Sequence, residues 1–359
     1  MTARRVRYRW PSPETDLEGP AETDLCLAER LGRGGIDRTS DGRELVRDAA
    51  GELIAWLRAQ PESWTFECAG TELEAGLAAW TDAHAWRGVC ARFLDAVRGV
   101  YHWARARGDV SGPREALLEE LGLWLACYAP AAGDAEAGPW QEPWNGEPLG
   151  DGARLANPRD VIPAALHALE PDSEVLVWGE GPLVASVLAE AQRAGLAPRV
   201  LIAAGGGDYA GRRLARELAD RGVRTRLTHD VVALGKLDRA DLLLLTTDAV
   251  GAGRFLARAG AGLACAEARR HEVPVRVLTT RDALVPGGTL RLPATCVDDS
   301  WMLWPDAPAG VQLESQCHED LSSDVASSWL TDAGNERPAD LSVRGLKPIA
   351  APPCDAKLA

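Results

Sequence analysis

Leu45, Val46, Ala49, Leu53, Ile54 and Leu57 recur at steps of three and four residues, which lays one apolar stripe along an α-helix. Ser40 or Asp41 stands where such a helix needs a cap. Similar spacing predicts helices over Thr71–Ala79, Trp86–Ala104 and Pro113–Tyr128, and the breaker-rich run from Pro130 to Gly152 predicts a linker. Residues 1–25, rich in proline and acid, read as a loosely attached extension.

From about Pro163 the pattern changes. Short apolar runs at Glu174–Trp178, Arg199–Ala204, Arg224–Leu227, Leu242–Leu245 and Val273–Leu278 alternate with helical stretches at 182–195 and 210–221. That alternation predicts a parallel sheet with helices on both faces. The expected architecture is therefore α/β: an extension over 1–30, a helical N-terminal domain and linker over 31–150, a Rossmann-like C-terminal domain over 151–345, and a tail over 346–359.

Composition narrows the function. The chain of 359 residues is 46% hydrophobic, enough for a large core, and its 53 acidic against 39 basic side chains leave a formal charge of -14. That balance argues against nonspecific nucleic-acid binding, which depends on neutralising phosphates. No run is long enough for a signal peptide or a membrane span, so a cytoplasmic location is expected. Eight cysteines without a C-x-x-C pair, and six scattered histidines, predict no metal site; Cys265, in an apolar helix run, reads as a small buried hydrophobe. No cofactor is expected, because the turn Gly179-Glu180-Gly181-Pro182-Leu183-Val184 lacks the third glycine of a dinucleotide fingerprint.

The most informative stretch is 241–280, where an apolar strand stops at Thr247-Asp248-Ala249 and a glycine-rich connection leads to a helix and another strand. Thr247-Asp248-Ala249, then Ala257-Arg258-Ala259-Gly260-Ala261, then Val273-Pro274-Val275-Arg276-Val277 follow the order of motifs in the translation initiation factor 2B alpha/beta/delta family, which the chain resembles. That family includes methylthioribose-1-phosphate isomerase and ribose-1,5-bisphosphate isomerase. Ile36 to Leu45, Val175 to Val184, Val200 to Val223, and Thr331-Asp332-Ala333-Gly334 with Pro338 extend the likeness over roughly residues 30–340.

The resemblance implies a helical domain on a Rossmann-like domain, dimerisation through the latter, and a sugar-phosphate site. Asp248 matches the aspartate to which the family's isomerases assign acid/base work. The alternative for Asp248 is a strand-end acid that caps nearby backbone N–H groups. The cysteine those isomerases use in the first strand-to-helix turn is absent, since no thiol lies between Cys127 and Cys265, and Glu180 is the acid in its place. The arginine-containing phosphate segment is replaced by Ala203-Ala204-Gly205-Gly206-Gly207-Asp208, so that Gly205, Gly206 and Gly207 have only backbone N–H groups to offer an anion. Arg212 and Arg213 are the nearest cations. Arg258 contacts either a ligand anion or Asp248. Gly179 and Gly181 in the turn are expected among the ligand-binding residues, Trp178 either stacks on a ligand or plugs the site, and Arg38 and Arg43 complete an anion pocket between domains.

These residues point to a protein binding a small phosphorylated or acidic sugar-like ligand near Asp248, noncatalytic or catalytically altered. An active aldose–ketose isomerase using Asp248 and Glu180, and a structural subunit of an assembly, are the alternatives.

Overall fold

The computed structural model describes residues 26–33, 42–60, 66–84, 87–107, 113–128, 158–206, 210–290, 310–314 and 316–344, with single positions 292, 304, 307 and 308. Arg38, the caps Ser40 and Asp41, Gly207, the linker and the tail fall outside them.

Five helices form the N-terminal lobe: α1 (Leu27–Arg33), α2 (Gly42–Ala59), α3 (Phe66–His84), α4 (Gly88–Arg107) and α5 (Pro113–Tyr128). The predicted stripe on α2 is buried, with Leu45, Leu53 and Leu57 packed among Leu73 and Leu77 of α3, Phe93 and Val97 of α4 and Leu117 of α5. Leu27 and Leu31 join this core from α1, which lies across the 30/31 boundary set by the sequence pattern. Gly76 makes room for them, since a Cβ there would stand 2.9 Å from the Leu27 side chain.

The C-terminal domain begins with α6 (Pro158–His167) and continues β1 (Glu174–Trp178), α7 (Pro182–Arg193), β2 (Arg199–Ala203), α8 (Ala210–Asp220), β3 (Arg224–Thr228), α9 (Asp230–Leu234) and β4 (Leu242–Thr246). After β4 come β5 (Ala249–Val250), β6 (Arg254–Arg258), α10 (Ala261–Arg270), β7 (Val275–Leu278), β8 (His318–Ser322), β9 (Ser328–Thr331), β10 (Gly334–Glu336) and α11 (Pro338–Arg344). Seven strands form one sheet in the order β10-β9-β7-β4-β1-β2-β3, parallel except for β10.

Continuous apolar runs suit strands covered on both faces. Val175, Val177, Ile202 and Leu244 pack against α6, α7 and α8, while Leu176, Leu201, Leu243 and Leu245 pack towards α10. The strand order turns around between β1 and β4, and the ends of these two strands open the crevice where ligands of such sheets collect.

Two features escape the sequence pattern. The glycine-rich connection after β4 contains a hairpin, β5 and β6, which joins β8 in a separate antiparallel sheet. The two-residue β5 is too short for a period-two signal, and the turn at Ala252-Gly253, with Gly253 at φ 70°, is masked by the surrounding glycines. Likewise Thr331 to Gly334 forms the β9–β10 turn, and Pro338 opens α11.

The lobes meet where α4 starts. Gly88 N–H donates to the Asp248 carbonyl at 2.7 Å, and a Cβ on Gly88 would lie 2.0 Å from the Ala283 carbonyl oxygen. A methyl group there forces the helix away from the sheet. Gly88→Ala is expected to lower the unfolding free energy by about 1–3 kcal/mol, the usual cost of overpacking, as measured by urea denaturation.

Candidate functional site

A close approach of two strand ends builds the site. At the end of β1, Gly179 has φ 143° and faces β4 so closely that a Cβ would stand 2.1 Å from Thr246 Oγ1. Thr246 Oγ1 accepts a hydrogen bond from Glu180 N–H at 3.2 Å, which fixes the turn to β4. Gly181, at φ 119°, is the N-cap of α7 with no side-chain cap, and Pro182 occupies the first helical position, where its missing N–H costs nothing.

In front of this turn lies a cavity of about 80 Å³ that both lobes line. The helical lobe contributes Arg43 and Arg87; the sheet contributes Glu180, Asp248, Thr280 and Asp282. Asp248 is exposed at its mouth, and among the described residues its carboxylate has no hydrogen-bond or ion-pair partner. Trp178 is elsewhere: strand alternation turns it into the core, where it is 2% exposed, with Nε1 donating to the Ala259 carbonyl at 3.1 Å and its ring beneath Gly260.

Arg43 makes the junction's buried ion pair. Its Nε and Nη2 donate to Asp282 Oδ2 at 2.9 and 2.5 Å, and Nη2 also reaches Thr280 Oγ1 at 3.1 Å. Both side chains are buried, at 9% and 5% exposure. Thr280 in turn donates to the other Asp282 oxygen. Arg43 thus lies in the cavity wall with its charge already matched.

The other expected anion contacts are also filled from within the chain. Arg258, 11% exposed, pairs with Glu180 Oε1, while Arg213 pairs with Oε2 at 2.5 Å. Arg258 thus pairs with Glu180 and not with Asp248. Gly205 and Gly206 N–H donate to the two oxygens of Asp230, each at 2.9 Å. The glycine turn therefore cradles a carboxylate of its own chain.

Sequence reading missed Arg87, Asp230, Thr280 and Asp282. Asp282 follows β7 as Asp248 follows β4, so the same strand-end rule marks it; Arg87, in a helix connection, gives no comparable signal. Among the described residues no group of three or more His, Cys, Asp or Glu can hold a metal, and no helix is long and apolar enough to cross a membrane.

A helical lobe clasped to a Rossmann-like sheet, with a cavity at the strand-order reversal, defines an α/β protein of two-lobed architecture. The model of the Initiation factor 2 subunit family matches residues 153–287. Among solved structures, the translation initiation factor eIF-2B of Pyrococcus horikoshii OT3 superposes with a TM-score of 0.62 at 14% identity, covering 88% of this chain and 98% of that one. The eIF2B beta subunit of Chaetomium thermophilum gives 0.55 at 16%, over 89% and 91%. A chain of the tetrameric eIF2B-beta2-delta2 complex from C. thermophilum gives 0.58 at 16%, over 89% and 94%. At these identities the likeness is one of fold. No curated protein matches the chain.

Two measurements test the site's electrostatics. Arg43→Ala leaves Asp282 buried without its partner, and is expected to cost about 3–5 kcal/mol in chemical denaturation, with the paired Arg43→Met, Asp282→Leu variant recovering most of the loss. Cys265, behind the sheet, has its thiol pushed up to about 12, mainly by burial and secondarily by Glu319, with Arg269 opposing. At pH 8 only about one thiol in 10⁴ is then ionised. Peptide mass mapping after iodoacetamide treatment should find the exposed Cys26 modified and Cys265 intact.

Proposed function

We propose that this protein is a noncatalytic, ligand-binding relative of the initiation factor 2B subunits, whose cavity beside Asp248 takes a small phosphorylated or acidic sugar-like ligand. The observation that carries the noncatalytic part is Glu180, in the turn where the family's isomerases carry a thiol, held through both oxygens by Arg213 and Arg258. Moving a proton between C1 and C2 of a sugar takes a base and a partner acid, each with a polar atom aimed at substrate. Glu180 has both oxygens committed to guanidinium groups. Of the described acids that line the cavity, Asp248 is the one whose carboxylate has no such partner.

Size supports a small occupant. A volume of about 80 Å³ has room for an acidic head group or a few waters. Whole-ligand pockets generally run to about 300–1,000 Å³. In this reading the head group enters between the lobes near Arg87, while hydroxyl groups donate to the exposed Asp248 carboxylate. The protein works in the cytoplasm as a homodimer joined through the C-terminal domain, a surface for which the exposed Leu227, Val231 and Val232 beside the β3 edge give support.

Incubation with methylthioribose 1-phosphate and with ribose 1,5-bisphosphate should give no ketose by NMR. At least one of them should instead bind saturably in calorimetry, weakened tenfold or more by Asp248→Asn. Turnover that disappears in Asp248→Asn would establish the aldose–ketose isomerase instead, and no binding of either compound would favour a structural subunit.

A further inference from the structure

A second cavity opens at the β10 edge of the sheet, between α6 and the β9–β10 turn, and shares no lining residue with the cavity at the lobe junction. Its volume of about 470 Å³ is that of a whole-ligand pocket, which generally runs to about 300–1,000 Å³. One wall is a single stripe of α6, where Asp160, Pro163, Ala164 and His167 recur at steps of three and four residues. The facing wall runs from Asp332 to Asn335, within the Thr331-Asp332-Ala333-Gly334 motif and its continuation into β10.

That facing wall is fixed from within the chain. Asp332, with a side chain 2% exposed, accepts from Arg281 N–H at 2.8 Å and from Arg281 Nε at 2.7 Å, and Ala333 N–H donates to Thr331 Oγ1 at 3.1 Å. The polar groups that remain are uncommitted: among the described residues the side chains of Asp160, His167 and Asn335 make no hydrogen bond or ion pair, and all three are exposed. No lysine or arginine is among the described lining residues. The charge of Asp332 is met by Arg281 from outside the groove, whereas the charge of Asp160 is met by nothing described.

We propose that this groove is a binding site for a small linear amine. The ammonium group pairs with Asp160, the apolar chain lies on Pro163 and Ala164, and a second hydrogen-bonding group reaches His167, with the Asn335 amide available from the facing turn. Asp160 and His167 are two helical turns apart, about 10 Å along the axis, so a chain of about five carbon atoms connects the two ends once the side chains lean inward. An anion finds an unpaired carboxylate and no fixed cation to hold it. A purely structural account gives Asp160 and His167 to the two ends of the α6 dipole, but it assigns no part to Asn335 or to the volume, and it predicts effects on stability alone. The site is separate from the lobe junction and stands whatever that cavity binds.

The probes are 5-aminopentanol and, as its charge-reversed counterpart of similar length, 5-hydroxypentanoate, each titrated calorimetrically into the full chain at fixed ionic strength. The amine should bind saturably at one site and the hydroxy acid at least tenfold more weakly. Asp160→Asn should weaken the amine tenfold or more, while Asp220→Asn, which removes an equal charge from the exposed end of α8, should leave it unchanged. Equal binding of the two probes, no saturable binding of the amine, or equal losses in the two variants overturns the proposal, the last by reducing the effect to the chain's net charge. Should Asp160→Asn not fold, NMR of wild-type histidine ring protons decides: a saturable shift of His167 with the amine, and none of the exposed His229, supports the groove, and an unmoved His167 overturns it.

Discussion

The buried pair between Arg43 and Asp282 governs how the molecule is put together, because it is the charged contact that joins α2 of the helical lobe to the turn after β7. Removing two such charges from water costs several kcal/mol per ion, and only good geometry with further hydrogen bonds offsets that. Here two guanidinium nitrogens and the Thr280 hydroxyl supply them. A pair so demanding is satisfied in one relative orientation of the lobes. In that orientation Gly88 presses on the Ala283 carbonyl and donates to the Asp248 carbonyl, so the cavity's walls and its narrowness follow from the docking.

Around the carboxyl ends of the strands, groups suited to external anions are met by acids of the chain itself. Glu180 serves Arg213 and Arg258, Asp230 serves the N–H groups of Gly205 and Gly206, and Glu319 accepts from Gly262 N–H at 2.9 Å near the start of α10. In open α/β sheets such N–H groups and cations commonly hold ligand phosphates. The acidic chain thus neutralises much of this rim with its own carboxylates. Of these three internal pairings, the Glu180 triad alone borders the cavity.

The framework was legible because its signals are local. β1 has the bounds that its apolar run predicts, and α2 buries the stripe formed by Leu45, Leu53 and Leu57. The β5–β6 hairpin was hidden, since a two-residue strand and a glycine turn carry no periodicity. Asp248 could be singled out by its place after an apolar strand, and the cavity does reach it. The partners of Arg258 and of the glycine turn could not, for Glu180 lies 78 residues from Arg258 and Asp230 lies 25 from Gly205. Trp178 shows the opposite limit: its strand position was clear, but only packing against Gly260 reveals that its ring turns from the cavity into the core.

Asp248 stands apart from the other acids in this respect. Its contribution to the fold passes through its backbone, whose carbonyl receives the Gly88 N–H, a contact that any residue at this position supplies equally. Its carboxylate is exposed at the cavity mouth and engages no partner among the described residues. Desolvation therefore costs it little, and neither a salt bridge nor a helix cap requires it. That separation of backbone duty from side-chain freedom is why Asp248→Asn leaves the lobe junction intact.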